Sequence, residues 1–578
     1  MQSAAKLTEL LRGQFGNTVT AREEDGVLFL SGNLPDWESV VAAGRMCADP
    51  KSRRMLVNDI RAPGCAPEPM RLPSLCDGVL EGAAPDVLVI GAGVVGCAIA
   101  RELARYDLSI LLVEKEHDVA MQASSRNDGM VHPGIELKPW QIKQKYNLAG
   151  NRMYPEVCRE LEVPFARTGQ IIGITQRWGR ALLPLSVYYW RRMGIPCNYL
   201  SRAALRQKEP HLAPEIACGL EFPSAGIVCP YGLTIAYAEN AVQNGVKLSL
   251  DTAVMGMELQ NGRIVGVKTN RGTVRPKVVV NAAGVFSEEV AKMAGDRFFS
   301  IHPRRGTNAI LDKKAAFRVQ TIASLLGTAA TKSAHSKGGG LVRTVDGNLL
   351  VGPDAVETPE KENYATTAES VRATFAKQKK ALPELSEADI ITYFTGVRAA
   401  TYEEDFVICK GRATKNLFHA AGIQSPGLTA APAIGVAVAK MAAELVGITA
   451  KNPRFDPHRA AIPRLAELPD AERDAKIREN PDFGVIVCRC EEVSRGEIIA
   501  ALHRPVPCDT VDGVKRRVRP GMGRCQGGFC GPLVTQIIAQ ELQKPLEQVC
   551  KSGEGSAMLL EQTKADAGQS GRGEEVRR

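Results

Sequence analysis

The run Val87-Leu88-Val89-Ile90-Gly91-Ala92-Gly93-Val94-Val95-Gly96 leaves the chain little choice of local fold. Four β-favouring apolar residues predict a buried strand, the glycines a tight turn, and the residues after Gly93 a helix. A second apolar strand, Ile110-Leu111-Leu112-Val113, ends on Glu114, about 20 residues on, where an acid can hold a ribose hydroxyl. Gly91 permits the turn, Gly93 lets backbone approach a pyrophosphate, and Gly96 lets the helix lie close to the strand. The helix N-terminus then offers N–H groups and the positive end of its dipole to phosphates. Strand, turn, helix, strand and acid together predict a dinucleotide site, and the loop alone fits FAD and NAD equally.

At 578 residues the chain has room for several domains. The formal charge of +9 comes from 73 bases and 64 acids interspersed along it. That reads as a solvated surface, and no basic patch interleaved with aromatics points to nucleic acid. No apolar run reaches the ~18 residues that span a bilayer, and the start has no signal-peptide pattern. The expectation is a cytoplasmic protein, at most peripheral to the inner membrane.

Residues 1–65 read as a small α+β unit. Helices are predicted around Leu7–Arg12 and Trp37–Cys47, strands around Val27–Leu34 and Arg54–Ile60. This pattern resembles the BON-type domain, a short fold often used for docking. Residues 66–85 are proline-bearing and read as a linker. Residues 86–450 form the main domain. There Val278-Val279-Val280-Asn281-Ala282-Ala283-Gly284 and Leu417-Phe418-His419-Ala420-Ala421-Gly422 return as buried strands ending on small residues. A long Ala-rich helix after the second gives another helix N-terminus. A second linker is expected at 451–482, a small domain at 483–550 and a disordered tail at 551–578.

Several further motifs follow in order: Ala123-Ser124-Ser125-Arg126-Asn127-Asp128-Gly129-Met130-Val131-His132-Pro133-Gly134, Asn281 to Gly284, Gly396-Val397-Arg398-Ala399, and Gly422-Ile423-Gln424-Ser425-Pro426-Gly427-Leu428-Thr429. With the Gly91 loop and Glu114, they make residues 86–446 resemble the D-amino-acid-oxidase-type flavoproteins. Within these, the resemblance is greatest to the anaerobic glycerol-3-phosphate dehydrogenase large subunits and the L-2-hydroxyglutarate dehydrogenases. It implies an α/β fold: a Rossmann-type FAD-binding domain with an interleaved antiparallel-sheet substrate domain. It implies FAD held by Gly91, Gly93, Gly96 and Glu114, with Ser125, Arg126, Asn127 and Gly129 along the flavin. Ala283, Gly284, Gly422, Gln424, Gly427, Leu428 and Thr429 complete that site.

His132 and Arg398 are the candidate catalytic residues. A histidine near neutral pKa suits a base at a substrate hydroxyl, but in a glycine-rich turn it also serves backbone groups. Arg398 offers a planar fork for a carboxylate or phosphate. It is equally open to pairing with Glu403, Glu404 or Asp405, and Arg304 and Arg305 are weaker candidates for the same clamp.

Fifteen cysteines are many for a reducing compartment, where clustered thiols signal metal or redox chemistry. Most are solitary and read as packing residues, Cys508 and Cys550 among them. Cys488 and Cys490 form Cys-x-Cys, and Cys525 and Cys530 follow in a glycine-rich loop. Four thiolates from two loops suit a [2Fe–2S] cluster, with zinc as the alternative metal. The segment resembles the BFD-like [2Fe–2S] domain. Arg516, Arg517 and Arg519 either offset the cluster's charge or form a solvated run.

The whole reads as an FAD-dependent dehydrogenase of a small anionic alcohol, with glycerol 3-phosphate the first choice. L-2-hydroxyglutarate, another 2-hydroxy acid, or an amine or opine are alternatives. Electrons would leave through the cluster to an acceptor protein, a quinone or a companion NADH-oxidising subunit, implying an oligomer or complex. The competing class is an electron-transfer or assembly subunit.

Overall fold

The computed structural model of the chain describes residues 2–52, 54–176, 179–326 and 339–561. They divide into two compact units, Met1–Ala461 and Ile462–Arg578.

The first unit is built on a six-stranded sheet. Its order is Lys247–Ser249, Ile110–Val113, Val87–Ile90, Val278–Asn281, Leu417–Ala421, Val407–Lys410. All pairs are parallel except the last. The three central strands and Ile110–Val113 are buried at every position, as continuous apolar runs in a covered parallel sheet require. Helices Val94–Leu103, Ile142–Glu160 and Gly427–Val446 pack together beside it. Small residues set their spacing: a Cβ on Gly435 would lie 2.9 Å from Ala98 O, and one on Gly150 only 2.1 Å from Thr429 O. Among the described residues, Gly427–Val446 is the one helix long and apolar enough to cross a membrane. Lys440 and Glu444 interrupt its apolar run, and 61% of its apolar window is buried in the core.

A nine-stranded sheet forms the adjoining layer. Its backbone is the antiparallel pair Ile301–Leu311 and Ile390–Thr401, in register from Ile301/Thr401 to Ile310/Thr392, with a shift of one residue before Leu311/Ile390. The expected antiparallel sheet needs one correction. Ile322–Leu325 runs parallel to Gln170–Ile174, joined by a connection long enough for a crossover.

The N-terminal module runs helix Ala4–Phe15, strands Val19–Glu24 and Val27–Asn33, helix Trp37–Cys47, strand Met55–Arg61. Its sheet is antiparallel, then parallel. The strand Val19–Glu24 escaped the sequence because Arg22, Glu23 and Glu24 make it a polar, mostly exposed edge. The opposite edge is covered by residues at the end of the nine-stranded layer. Leu56 N–H donates to Glu403 Oε1 at 2.7 Å and Asn58 N–H to Ser300 Oγ at 3.0 Å. Tyr402 is part of the module's apolar core, and Val27 and Val57 pack with Val285, Phe286 and Phe299.

Residues 66–85 do not hang as a free linker. Leu80 and Gly82 N–H donate to the carbonyls of Arg271 and Thr273, and Asp77 pairs with Arg271 at 2.6 Å. The stretch read as a second linker contains a helix, Asp470–Glu479, with no buried residue and hence no apolar periodicity to reveal it. In the second unit, strands Ile486–Cys488 and Val493–Ser494 precede helices Arg495–Leu502, Val511–Val518 and Gly531–Glu541. Ser494 and Glu497 close a capping box on the first of these. The expected tail disorder does not hold for its start, where Lys551 donates to Ser556 O and Met558 to Val549 O. Residues 562–578 lie outside the described ones.

Burial pushes the Glu403 carboxyl up to about 7. The folded chain therefore holds this proton more tightly than the unfolded chain. Stability is highest below the ordinary carboxylate range and falls as pH rises towards and through 7. Thermal or urea melts should show the wild type losing roughly 1–3 kcal/mol more than Glu403→Gln between pH 5 and 8. Parallel pH profiles would contradict this.

Candidate active site and metal centre

The glycine loop folds as its composition demands. Gly91 has φ +101°, and a Cβ there would lie 2.6 Å from Ala282 O. Gly93 caps the helix Val94–Leu103 in extended conformation. A Cβ on Gly96 would sit 1.9 Å from Gly91 O, so only hydrogen allows the helix this close to the turn. Glu114 stands beside the loop, accepting from Ala92 N at 2.7 Å and Glu116 N at 3.0 Å. Burial pushes its carboxyl up to about 7. Backbone N–H groups, a helix N-terminus and an acid thus converge at the C-terminal edge of the parallel sheet, where α/β folds bind nucleotides.

The segment after Met121 crosses this edge. Ser124 Oγ accepts from Val94 N at 2.9 Å, tying it to the helix start. Sequence reasoning passed over Ser124 because its partner lies 30 positions away. Ser125 Oγ donates to Gln122 O, and Arg126 lays its guanidinium 4.0 Å from the Tyr364 ring centre. Asn127 is a turn former: its Nδ2 donates to Ala123 and Ser124 carbonyls and its Oδ1 accepts from Gly129 N. Gly129, at φ +69°, passes so close to Val228 O that a Cβ would be 2.5 Å away.

The chain then reaches His132, whose N–H donates to Thr429 Oγ1 at 2.8 Å. Its Nε2 lies 3.4 Å from Ser425 Oγ, and its carbonyl accepts from Asn151 Nδ2 at 2.8 Å. The 125–134 segment and the 422–429 loop, far apart in sequence, therefore meet at this side chain. In that loop Gly422 takes φ +64°, and Gly427 opens the helix Gly427–Val446. Leu428 O accepts from Tyr154 Oη at 2.6 Å. Ala283 and Gly284 follow Asn281 at the adjacent strand end, Gly284 at φ +56°.

Arg398 does not pair with Glu403, Glu404 or Asp405. Its Nη1 donates to Arg305 O at 3.2 Å and its Nη2 to Asp354 O at 3.1 Å, laying the fork across Gly306. Burial, then the neighbouring Arg304 charge, lowers its pKa, while Asp128 and Asp354 act against this. Arg304, opposite Arg398 in the register, is the residue the acids hold. Its Nε donates to Glu357 Oε1 at 2.7 Å and its Nη2 to Glu404 Oε1 at 2.6 Å. Gln424 joins this group, donating from Nε2 to Glu404 Oε2 at 2.6 Å. Asp405 instead accepts from the Ile142 and Lys143 amides. Arg305 reaches the Asn363 side chain and the Ala365 carbonyl.

In the second unit the four cysteines assemble as two pairs. Cys490 and Cys525 Sγ are 3.7 Å apart, and the side chains of Cys488 and Cys530 are close enough to act on each other. Among the described residues no three His, Cys, Asp or Glu side chains surround a single ion. Two thiol pairs fit a two-iron cluster, with two thiolates for each iron, better than one zinc. The Cys488 thiol is lowered by Cys530 and by the amides of Gly521, Glu491 and Cys490. That of Cys525 is lowered by the amide of Phe529 and then those of Gly527 and Gly528. Such amides are what sulfur ligands need. Arg519 is engaged with Glu491 at 3.0 Å, and Arg517 with the Gly513 and Val506 carbonyls. Cys508 is packed in the unit's core.

The family profile described as FAD dependent oxidoreductase matches residues 86–441, more than half of the chain. The chain belongs to this family. The profile of the BFD-like [2Fe-2S] binding domain matches residues 486–540. A glycerol 3-phosphate dehydrogenase of Caloramator mitchellensis is 39% identical over 83% of this chain and 99% of its own length. An L-2-hydroxyglutarate dehydrogenase of Indibacter alkaliphilus is 25% identical over 62% of this chain and 98% of its own. Among solved structures, the FAD-bound, dithionite-reduced L-α-glycerophosphate oxidase of Mycoplasma pneumoniae superposes with a TM-score of 0.60. It is 28% identical, over 65% of this chain and 98% of the oxidase.

This FAD dependent oxidoreductase carries FAD and a [2Fe–2S] cluster. The two sites should fail separately. Gly96→Val forces the helix off the loop and should yield protein without FAD but with the cluster's visible absorbance. Cys525→Ser should do the reverse. Loss of both groups in either variant would contradict the two sites as drawn.

Proposed function

We propose that the chain oxidises glycerol 3-phosphate at its secondary alcohol and passes the electrons through the cluster to an acceptor protein. The observation that carries this is the 39% identity, over 83% of the chain and 99% of the relative, to a glycerol 3-phosphate dehydrogenase. When bound, FAD supplies the hydride acceptor, and the rest falls to the protein. His132 takes the hydroxyl proton at Nε2, with Ser425 Oγ close by and its backbone pinned at both N–H and carbonyl. Arg398, held flat by two carbonyls, presents fixed positive charge to the anionic substrate. When the flavin is bound, the first-turn amides of helix Gly427–Val446 would offer it the positive end of a helix dipole. Ser125, Arg126, Asn127, Gly129, Ala283 and Gly284 position the ring system.

The 25% relative supports a second reading, a 2-hydroxy acid substrate such as L-2-hydroxyglutarate. The N-terminal module, which resembles the BON-type domain in sequence pattern alone, would serve docking in an assembly with an acceptor or NADH-oxidising subunit, in the cytoplasm or peripheral to the inner membrane.

Dye-linked turnover with both substrates decides between these readings. Glycerol 3-phosphate should be the better substrate by kcat/KM, and His132→Ala should lower kcat by about 100- to 10,000-fold at unchanged FAD content. Preference for the hydroxy acid, or an active His132→Ala enzyme, would contradict the proposal.

A further inference from the structure

The N-terminal module precedes the residues matched by either family profile, yet it reaches towards the centre of the first unit. Arg45, in the last turn of helix Trp37–Cys47, forms an ion pair with Glu357. Glu357 is not a surface acid. It accepts from His302 Nδ1 at 2.8 Å and from Arg304 Nε at 2.7 Å. Burial pushes its carboxyl up, but the hydrogen bond and charge of His302 and the charge of Arg304 outweigh this and hold it down at about 2. Arg304 continues the chain. Its Nη2 bonds Glu404 at 2.6 Å and its Nη1 lies 3.4 Å from Gln424 Oε1, while Gln424 Nε2 returns to Glu404. Gln424 belongs to the loop that enters helix Gly427–Val446.

A second contact runs beside the first. Gly44, the residue before Arg45, lies so close to Tyr402 that a Cβ would be 2.2 Å from its ring. Tyr402 stacks on His302 with ring centres 4.5 Å apart. Its hydroxyl accepts from Asn58 Nδ2 of the module at 2.9 Å. His302 is thus fixed from one side by a ring clamped under the module's helix and from the other by the carboxylate that Arg45 holds.

We infer that Arg45 is a positioning residue for the flavin-edge loop: the module completes the active site through the relay Arg45–Glu357–Arg304–Gln424. Physically, Glu357 is shared by three cations or donors, and Arg45 fixes where it sits. Without Arg45, Glu357 is free to follow His302 and Arg304, so Arg304 relaxes and Gln424 loses one of its two anchors. A displacement of the order of 1 Å in such a group costs up to about a hundredfold in rate. The relay rests on the reading of residues 422–429 as the flavin edge, but not on the choice of substrate.

The test uses the full-length holoenzyme with Arg45→Met, Arg45→Lys and, on the module's exposed edge, Arg22→Gln. FAD and iron content, the flavin visible band, the flavin midpoint potential from dithionite titration, and kcat and KM are measured on each. Arg45→Met should retain both cofactors, shift the flavin band and potential, and lower kcat between about tenfold and a hundredfold with little change in KM. Arg45→Lys should recover most of each, and Arg22→Gln should match the wild type. Glu357→Gln approaches the relay from its other side and should reproduce Arg45→Met if that variant folds poorly. Wild-type band, potential and kcat in Arg45→Met, or no recovery in Arg45→Lys, would overturn the inference. If no substrate turns over even in the wild type, the function proposed above fails, and the band and potential still decide this one.

Discussion

The approach of helix to turn at Gly96 is the constraint on which the rest of the first unit depends. With hydrogen in place of a side chain, the helix Val94–Leu103 comes down on the Gly91 carbonyl and points its N-terminus across the edge of the sheet. Gly435 repeats the device where helix Gly427–Val446 meets Ala98, and Gly150 where Ile142–Glu160 meets Thr429. Three backbone-to-backbone approaches bring two helix N-termini to one edge of the sheet. The cost in chain entropy of so many glycines is offset by burial of the strands they serve.

On that frame, polar groups fix position while the cofactors supply the redox chemistry. His132 is held by its own backbone bonds to Thr429 and Asn151, and Arg304 by two carboxylates in the buried layer. Pairing of this kind is what buried charge requires, because an unpartnered ion there would be far more costly. In the second unit the same logic is applied to sulfur: amides from a glycine-rich loop point at thiols arranged in two pairs.

What the sequence made legible were features whose meaning is local. The Gly91 loop, Glu114, the Cys488/Cys490 pair and the Gly427 helix start are each read within one short stretch, because turn geometry and ligand spacing are local properties. What it hid were relations between distant stretches. The Arg45–Glu357 pair joins residues 312 positions apart, and Leu56 with Glu403 joins residues 347 apart. Arg398 was open to three neighbouring acids, but the strand register turns it to carbonyls and gives the acids to Arg304 and to backbone amides. Helix Asp470–Glu479 was invisible for a different reason, as a helix with no buried residue leaves no apolar rhythm.

The central claim is that one chain takes electrons from a small anionic alcohol at FAD and delivers them to its own cluster. Anaerobic mixing of the purified holoenzyme with glycerol 3-phosphate, followed by flavin absorbance and by the electron paramagnetic resonance of the cluster, tests it most directly. The account predicts that the flavin band bleaches and that the signal of the reduced [2Fe–2S] cluster follows. A flavin band that dithionite bleaches but glycerol 3-phosphate leaves unchanged would contradict it.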